Sequence, residues 1–158
     1  MSEQLPSSPY KGLTPFADTA TDAMLFFGRE RDVEIVCANI LASRLTVLYG
    51  QSGVGKSSLL AAAVARQLRG LPERPVVVVF SAWSDGPAAA LAHALCAEAG
   101  VDPSESLATA VERACGARGD VYLLLDQAEE YFLYHPAGGP FEHELAACLL
   151  YTSDAADE

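Results

Sequence analysis

Apolar residues recur along the chain in two patterns, one helical and one in short continuous runs. Val33, Val36, Cys37, Ile40 and Leu41 follow the i, i+3, i+4, i+7, i+8 spacing of an amphipathic helix. Three apolar runs predict buried strands, at Leu45–Tyr49, Pro75–Phe80 and Asp120–Leu125. Helices are predicted between and after them, at Lys56–Arg69, Pro87–Ala99, Ser104–Cys115, Glu129–Tyr134 and from Phe141 onward. Alternating strands and helices favour an α/β domain with a parallel sheet.

The sequence after the first predicted strand carries the most specific motif. Gly50–Ser57 reads GQSGVGKS, a match to G-x-x-x-x-G-K-[ST]. Glycines let such a loop turn its N–H groups toward phosphates, the lysine adds a point charge, and the serine hydroxyl can bind Mg²⁺. The alternative is a glycine turn beside a surface lysine. The residues predicted to bind phosphates are Gly50, Gln51, Ser52, Gly53, Val54, Gly55, Lys56, Ser57 and Ser58.

The third predicted strand runs into an acidic segment, LLLDQAEE. An apolar strand that ends in an acid is the Walker B pattern, in which Asp126 would bind Mg²⁺ together with Ser57. A general base must lie just beyond to activate water. Gln127 cannot act as a base, so Glu129 and Glu130 are the candidates. The alternative is a solvated acidic helix start, since helix N-termini favour carboxylates in any case.

Two further segments add family-level information. Pattern alone assigns Phe26–Arg31, FFGRER, to an aromatic pair, a turn and a charged helix start. Together with PYKGL at residues 9–13, the GQSGVGKSSLL loop and LLLDQAEE, however, this segment resembles the novel STAND NTPases. These are signal-transduction P-loop ATPases of bacteria. The resemblance spans about residues 9–147 and implies a P-loop NTPase fold, a three-layer α/β/α arrangement around a parallel sheet.

The resemblance also implies roles for individual residues. Phe27, Gly28 and Arg29 would lie near the adenine or help to close the nucleotide site. Asp126 would bind Mg²⁺, and Glu129 is favoured over Glu130 as the residue that orients water. Trp83 matches an aromatic residue that the family often carries after the second strand, where packing is its expected role.

The function that follows is ATP binding with slow hydrolysis in a STAND-type signalling switch, with ATP and Mg²⁺ as cofactors. Self-association of the full-length protein is expected, with sensor and effector domains as further partners. One alternative is a nucleotide-binding scaffold without hydrolysis, which Gln127 after Asp126 leaves open. Another is a P-loop phosphotransferase, which would need an acceptor pocket that the sequence does not indicate.

The domain organisation predicted from sequence has three parts. Residues 1–20 are a proline-punctuated extended lead-in, and residues 21–147 form a partial P-loop NTPase domain. Residues 148–158, CLLYTSDAADE, read like a translated sequencing adapter and are expected to be non-native. Relatives place a sensor strand between the two motif-bearing strands, and none is visible before residue 147. We therefore expect exposed strand edges and apolar faces, and a chain of low stability.

Composition narrows the function without identifying it. The chain has 158 residues, 51% of them hydrophobic, and a formal net charge of −11. Excess negative charge disfavours direct binding to nucleic acid or to anionic membranes. No secretory signal is visible, and Cys37 and Cys96, placed in apolar helical patterns, are expected to be buried free thiols. A cytoplasmic location is therefore expected.

Overall fold

A computed structural model describes residues 28–151. The chain divides into two compact units, residues 1–68 and residues 69–158. The predictions for the lead-in, for PYKGL, for Phe27 and for the last seven residues concern residues outside the described part.

The first unit contains the predicted amphipathic helix, α1 (Glu30–Ala42). Glu30 and Asp32 occupy its first turn, where the positive end of the helix dipole stabilises carboxylates. Val33, Val36 and Cys37 are buried, as the spacing predicts, whereas Leu41 remains 53% exposed. The apolar stripe of α1 is therefore covered along its first half more than along its last turn.

The predicted helix after the glycine-rich motif is also present, in three successive segments. These are α2 (Lys56–Ser58), a π-helical segment (Leu59–Val64) and α3 (Ala65–Arg69). The π-helical segment packs against α1 and buries Leu59, Ala62 and Val64. A π-turn shifts side chains around the helix axis and is frequent near functional sites; no periodicity in the sequence indicated it.

The prediction of a buried strand at Leu45–Tyr49 is wrong. These residues form no regular secondary structure, and Leu45, Val47 and Tyr49 are 68%, 72% and 88% exposed. Thr46 and Leu48 are half-buried, so the alternation of a strand persists in the side chains. A strand needs a neighbour to satisfy its N–H and C=O groups, and within residues 28–151 no strand pairs with this segment.

The second unit contains the two other predicted strands, β1 (Val76–Phe80) and β2 (Val121–Leu125). They pair in parallel, from Val76 opposite Val121 to Phe80 opposite Leu125. The parallel α/β prediction is thus confirmed for these strands, and the three-layer P-loop arrangement stays a prediction. In the described part of the chain the sheet has two strands.

Two helices make the crossover between these parallel strands, α4 (Pro87–Ala99) and α5 (Leu107–Arg118). Pro87 occupies the first turn of α4, and Gly100, at φ 71°, ends it by donating to Ala97 and Cys96 carbonyls. Ser106 caps α5, which begins three residues later than predicted. The two helices pack on each other and on β1.

Two more helices follow β2, α6 (Glu129–Tyr134) and α7 (Pro140–Tyr151). The bounds of α6 are those predicted from sequence. α7 packs against α4 and α5, and the Glu144 carboxylate accepts from the Leu107 amide at 3.1 Å. A continuous apolar core unites β1 with these helices, and its largest fully buried side chain is Trp83.

Candidate functional site

The glycine loop, Gly50–Ser57, lies in the first unit and has the backbone of a tight turn before a helix. Gly53 and Gly55 have φ values of 81° and 83°, a region that favours glycine. The helix begins at Lys56, and the Leu59 amide donates to the Gly55 carbonyl at 2.9 Å. The loop therefore leads directly into a helix N-terminus, where backbone N–H groups lack intrahelical partners and favour anions.

Lys56 connects the end of the glycine loop to its beginning. Its Nζ donates to the carbonyl oxygens of Gly50 and Gln51, at 2.8 and 3.0 Å. Residues 50–54 are exposed, Lys56 and Ser57 are half-buried, and Ser58 is buried. The ammonium group thus lies against a solvent-accessible loop, at which an anionic group could replace the two carbonyl contacts.

Arg29 joins the FGRE segment to the same loop. Its Nη1 donates to the Val54 carbonyl at 2.9 Å, and its Nε pairs with the Asp32 carboxylate. Gly28, at φ 78°, donates its amide to the Glu30 carboxylate. The Glu30 carboxylate also accepts from its own backbone amide, and this bond, together with the bond from Gly28, lowers the pKa of Glu30. The structure therefore brings Arg29 to the glycine loop and places Gly28 beside it.

The acidic turn, Asp126–Glu130, lies in the second unit, at the carboxyl end of β2. The Asp126 amide extends the sheet by donating to the Phe80 carbonyl at 2.8 Å. Gln127 then takes a φ of 52°, which is unfavourable for a residue with a side chain. Glu129 and Glu130 begin α6, the first exposed and the second half-buried. All three carboxylates therefore follow the strand within five residues, as predicted.

The structure gives two hydrogen bonds of Trp83 that the sequence did not predict. Trp83 Nε1 donates to the Asp126 carbonyl at 2.8 Å, and His135 Nε2 lies 2.8 Å from the Trp83 carbonyl. The expected packing role of Trp83 is confirmed, because 1% of it is exposed, but the side chain also makes a hydrogen bond. A buried indole N–H needs a hydrogen-bond partner, so a tryptophan predicted to be buried could have indicated such a bond.

The metal ligands predicted from sequence are divided between the units, Ser57 in the first and Asp126 in the second. A hydroxyl and a carboxylate suit Mg²⁺, which binds few protein oxygens and takes its other ligands from phosphates and water. Within residues 28–151 there is no group of three or more His, Cys, Asp or Glu side chains that could hold a metal ion.

The second unit also has an apolar cavity of about 250 Å³. Trp83, Leu125, Tyr131 and Phe141 are among its lining residues, and none of the predicted site residues lines it. The chemistry predicted from sequence therefore lies on the loop and the turn, not in this cavity.

Comparison with known proteins gives one match. No curated protein and no solved structure matches the chain. No helix formed by residues 28–151 has the length and apolar character that crossing a membrane requires. The model of the family described as novel STAND NTPase 1 matches residues 9–155, which covers the glycine loop, the acidic turn and part of the segment read as adapter-derived. The chain belongs to the novel STAND NTPase 1 family.

Proposed function

We propose that this chain is the ATP-binding and slowly hydrolysing part of a STAND-type signal-transduction switch. Family membership indicates a nucleotide-binding signalling protein. The observation that best supports ATP as a ligand is the glycine loop, with positive φ at Gly53 and Gly55 and a helix that begins at Lys56. This combination presents backbone N–H groups and the Lys56 ammonium group to a phosphate chain.

In this proposal each part of the loop has a separate task. Backbone amides of Gly50–Ser57 bind the phosphates, with Ser58 following in the helix. Lys56 exchanges its hydrogen bonds to the Gly50 and Gln51 carbonyls for hydrogen bonds to phosphate oxygens. Its ammonium group therefore keeps hydrogen-bond partners when ATP is bound. Arg29 holds the loop at the Val54 carbonyl and, with Gly28 and Phe27, contributes to site closure near the adenine.

The carboxylates of the acidic turn supply the remaining chemistry. Ser57 and Asp126 would hold Mg²⁺, which neutralises phosphate charge when bound. Glu129 orients and deprotonates the attacking water, with Glu130 as the alternative base. Glu129 is exposed, so a water molecule has access to it. Hydrolysis then releases the γ-phosphate and resets the switch.

The proposal also includes a signalling role for the full-length protein. ATP binding is expected to favour self-association of the full-length protein, which passes a signal from sensor to effector domains. The free cysteines of the described residues fit a reducing compartment such as the cytoplasm.

The experiment for this function is nucleotide binding by the 158-residue chain. A fluorescent ATP analogue is titrated with Mg²⁺ into the wild type, Lys56→Ala and Arg66→Ala. Arg66 is exposed on the same run of helix, so its substitution removes the same charge without touching the loop. We expect Lys56→Ala to lose binding by about a hundredfold or more and Arg66→Ala to bind like the wild type. Equal binding by all three contradicts the proposal.

A nucleotide-binding scaffold without hydrolysis is the second candidate. Gln127, which directly follows Asp126 and is exposed, cannot serve as a base and favours this alternative. Phosphate release from ATP distinguishes the two. Hydrolysis that Glu129→Gln abolishes and that Glu105→Gln, an exposed control, retains supports the switch. Binding without any release supports the scaffold.

A further inference from the structure

Trp83 contacts both ends of the segment that runs from the acidic turn to the end of α6. Its indole Nε1 donates to the carbonyl of Asp126, where the turn begins. Its own backbone carbonyl lies 2.8 Å from Nε2 of His135, the residue that ends α6. A carbonyl oxygen only accepts, so Nε2 of His135 carries the proton in this bond. Trp83, in the loop after β1, therefore contacts the first and the last residue of the segment Asp126–His135, which carries every candidate carboxylate.

The backbone of Asp126 is fixed at both of its polar groups. Its amide donates to Phe80 at the end of β1, and its carbonyl accepts from Trp83, both at 2.8 Å. Immediately afterwards Gln127 adopts a φ of 52°. A residue with a side chain keeps such an unfavourable conformation only where the surroundings impose it. The bond from Trp83 is placed directly before this strained residue.

The indole ring has little freedom to leave this position. Trp83 is 1% exposed, with edge-to-face ring contacts to Phe80 at 5.1 Å and to Phe141 at 5.6 Å. Tyr131, from α6 itself, packs against the same ring at 6.2 Å. Hydrogen bonds in such apolar surroundings are strengthened by the low local dielectric. The ring contacts therefore keep the Nε1 donor aimed at the acidic turn.

We propose that Trp83 and His135 are positioning residues that set the conformation of the acidic turn, and with it the placement of the Asp126 and Glu129 carboxylates. We call their two hydrogen bonds the Trp83 clasp. The role of those carboxylates in Mg²⁺ binding and water activation rests on the proposed function. The clasp itself depends only on the contacts described above.

Three substitutions separate the clasp from simple packing. Trp83→Phe keeps an aromatic ring and removes the Nε1 donor. His135→Ala removes the second bond, and His135→Gln restores a donor at a similar distance from the backbone. His93→Ala is the matched control, since His93 is an exposed histidine on α4 with no assigned role.

The first readout is amide hydrogen exchange of the 158-residue chain without ligand. Exchange at Gln127–Glu130 is compared with exchange in the middle of α4, which reports on unfolding of the unit. We expect Trp83→Phe and His135→Ala to accelerate exchange in the turn about tenfold beyond any change in α4. A tenfold change is the effect expected from the loss of one buried hydrogen bond. His135→Gln and His93→Ala leave it unchanged. Equal acceleration in the turn and in α4 overturns the clasp and leaves only packing.

The second readout is the Mg²⁺ dependence of ATP affinity, taken as the ratio of Kd without and with Mg²⁺. We expect Trp83→Phe to reduce this ratio by about five- to tenfold and to leave the affinity for metal-free ATP unchanged, because the glycine loop is intact. If Trp83→Phe and His135→Ala both keep the wild-type ratio of the two Kd values, the positioning role is overturned. A wild type that binds no ATP contradicts the proposed function instead, and the exchange result then decides on the clasp alone.

Discussion

Residues 45–58 and residues 121–134 share one sequence plan, an apolar run followed by a polar turn and a helix. In the second region the run is β2, paired in parallel with β1, and its Leu124 is 6% exposed. In the first region the run is irregular, and Tyr49 is 88% exposed. Both runs are apolar, but within residues 28–151 only the second has a neighbouring strand to pair with. An apolar run encodes a strand only together with its partner.

The helices after the two runs differ in a second way. The helix after the glycine loop contains a π-helical segment and packs against α1. α6, after the acidic turn, contributes Tyr131 to an aromatic cluster around Trp83. The acidic turn is therefore tied to an apolar core through Trp83, whereas hydrogen bonds from Lys56 and Arg29 reach the carbonyls of the glycine loop. The following predictions test this contrast.

The same substitution in each of the two units has the largest expected difference. Leu91, in α4, is fully buried, and Leu45 is 68% exposed. Leu91→Ala should lower the free energy of unfolding by about 2–5 kcal/mol because it leaves a cavity. Leu45→Ala should change it by less than about 0.5 kcal/mol. Urea unfolding followed by circular dichroism measures both. A loss above about 1.5 kcal/mol for Leu45→Ala would mean that the run is buried after all.

Glycine substitutions in the two units should change stability with opposite signs. Gly55, at φ 83°, has only an ordinary contact for a Cβ, the Arg29 guanidinium at 3.7 Å. Gly55→Ala should cost about 1–2 kcal/mol from backbone strain alone. Gly116, exposed within α5, has open space and an unstrained backbone. Gly116→Ala should stabilise the chain by about 0.5–1 kcal/mol. Thermal melts give both signs, and a neutral Gly55→Ala would contradict the left-handed backbone.

Thiol labelling tests the exposure of the first apolar run. Cys37, Cys96 and Cys148 are buried free thiols, and burial raises the pKa of Cys37 and Cys148. Val47, in contrast, is 72% exposed. A thiol introduced by Val47→Cys should react with a chromogenic disulfide at least about tenfold faster than Cys37 or Cys96. Similar rates at these positions would place residue 47 in a protected strand.

The smallest expected effect is a loss of stability at high pH that both units share. Burial raises the pKa of Cys37, and burial with the Asp120 carboxylate raises that of Cys115, from an ordinary value of 9.0. The folded state then favours the neutral thiol, so stability is complete below pH 9.0 and falls as the pH rises through the folded pKa. Cys37→Ala and Cys115→Ala should each flatten this decline in urea unfolding between pH 8 and 10.5. An unchanged slope in both would contradict the assignment.

Local signals predicted most elements of the fold. Proline at the start and glycine after the end fixed α4, and the run of acids fixed the start of α6. The errors have identifiable physical causes. The run at Leu45–Tyr49 depends on a distant partner, and the π-helical segment depends on packing against α1. Neither cause is visible in a window of neighbouring residues.

Motif patterns in the sequence indicated the glycine loop and the three carboxylates as candidates, and the family resemblance added Gly28 and Arg29. The contacts that support these residues were not predicted. The bonds that hold them join residues far apart in sequence, as from Arg29 to Val54 and from Trp83 to Asp126. The strained φ of Gln127 has no signature in residue type, since glutamine shows no preference for that region.

Amide hydrogen exchange with and without Mg·ATP tests the central claim, nucleotide binding by the glycine loop and the acidic turn, in one measurement. It reads residues 50–58 and residues 126–130 separately, in the wild type and in Lys56→Ala. We expect slower exchange in both segments when Mg·ATP is added to the wild type, and no change in Lys56→Ala. Unchanged exchange at residues 50–58 of a folded wild type would contradict nucleotide binding by the glycine loop.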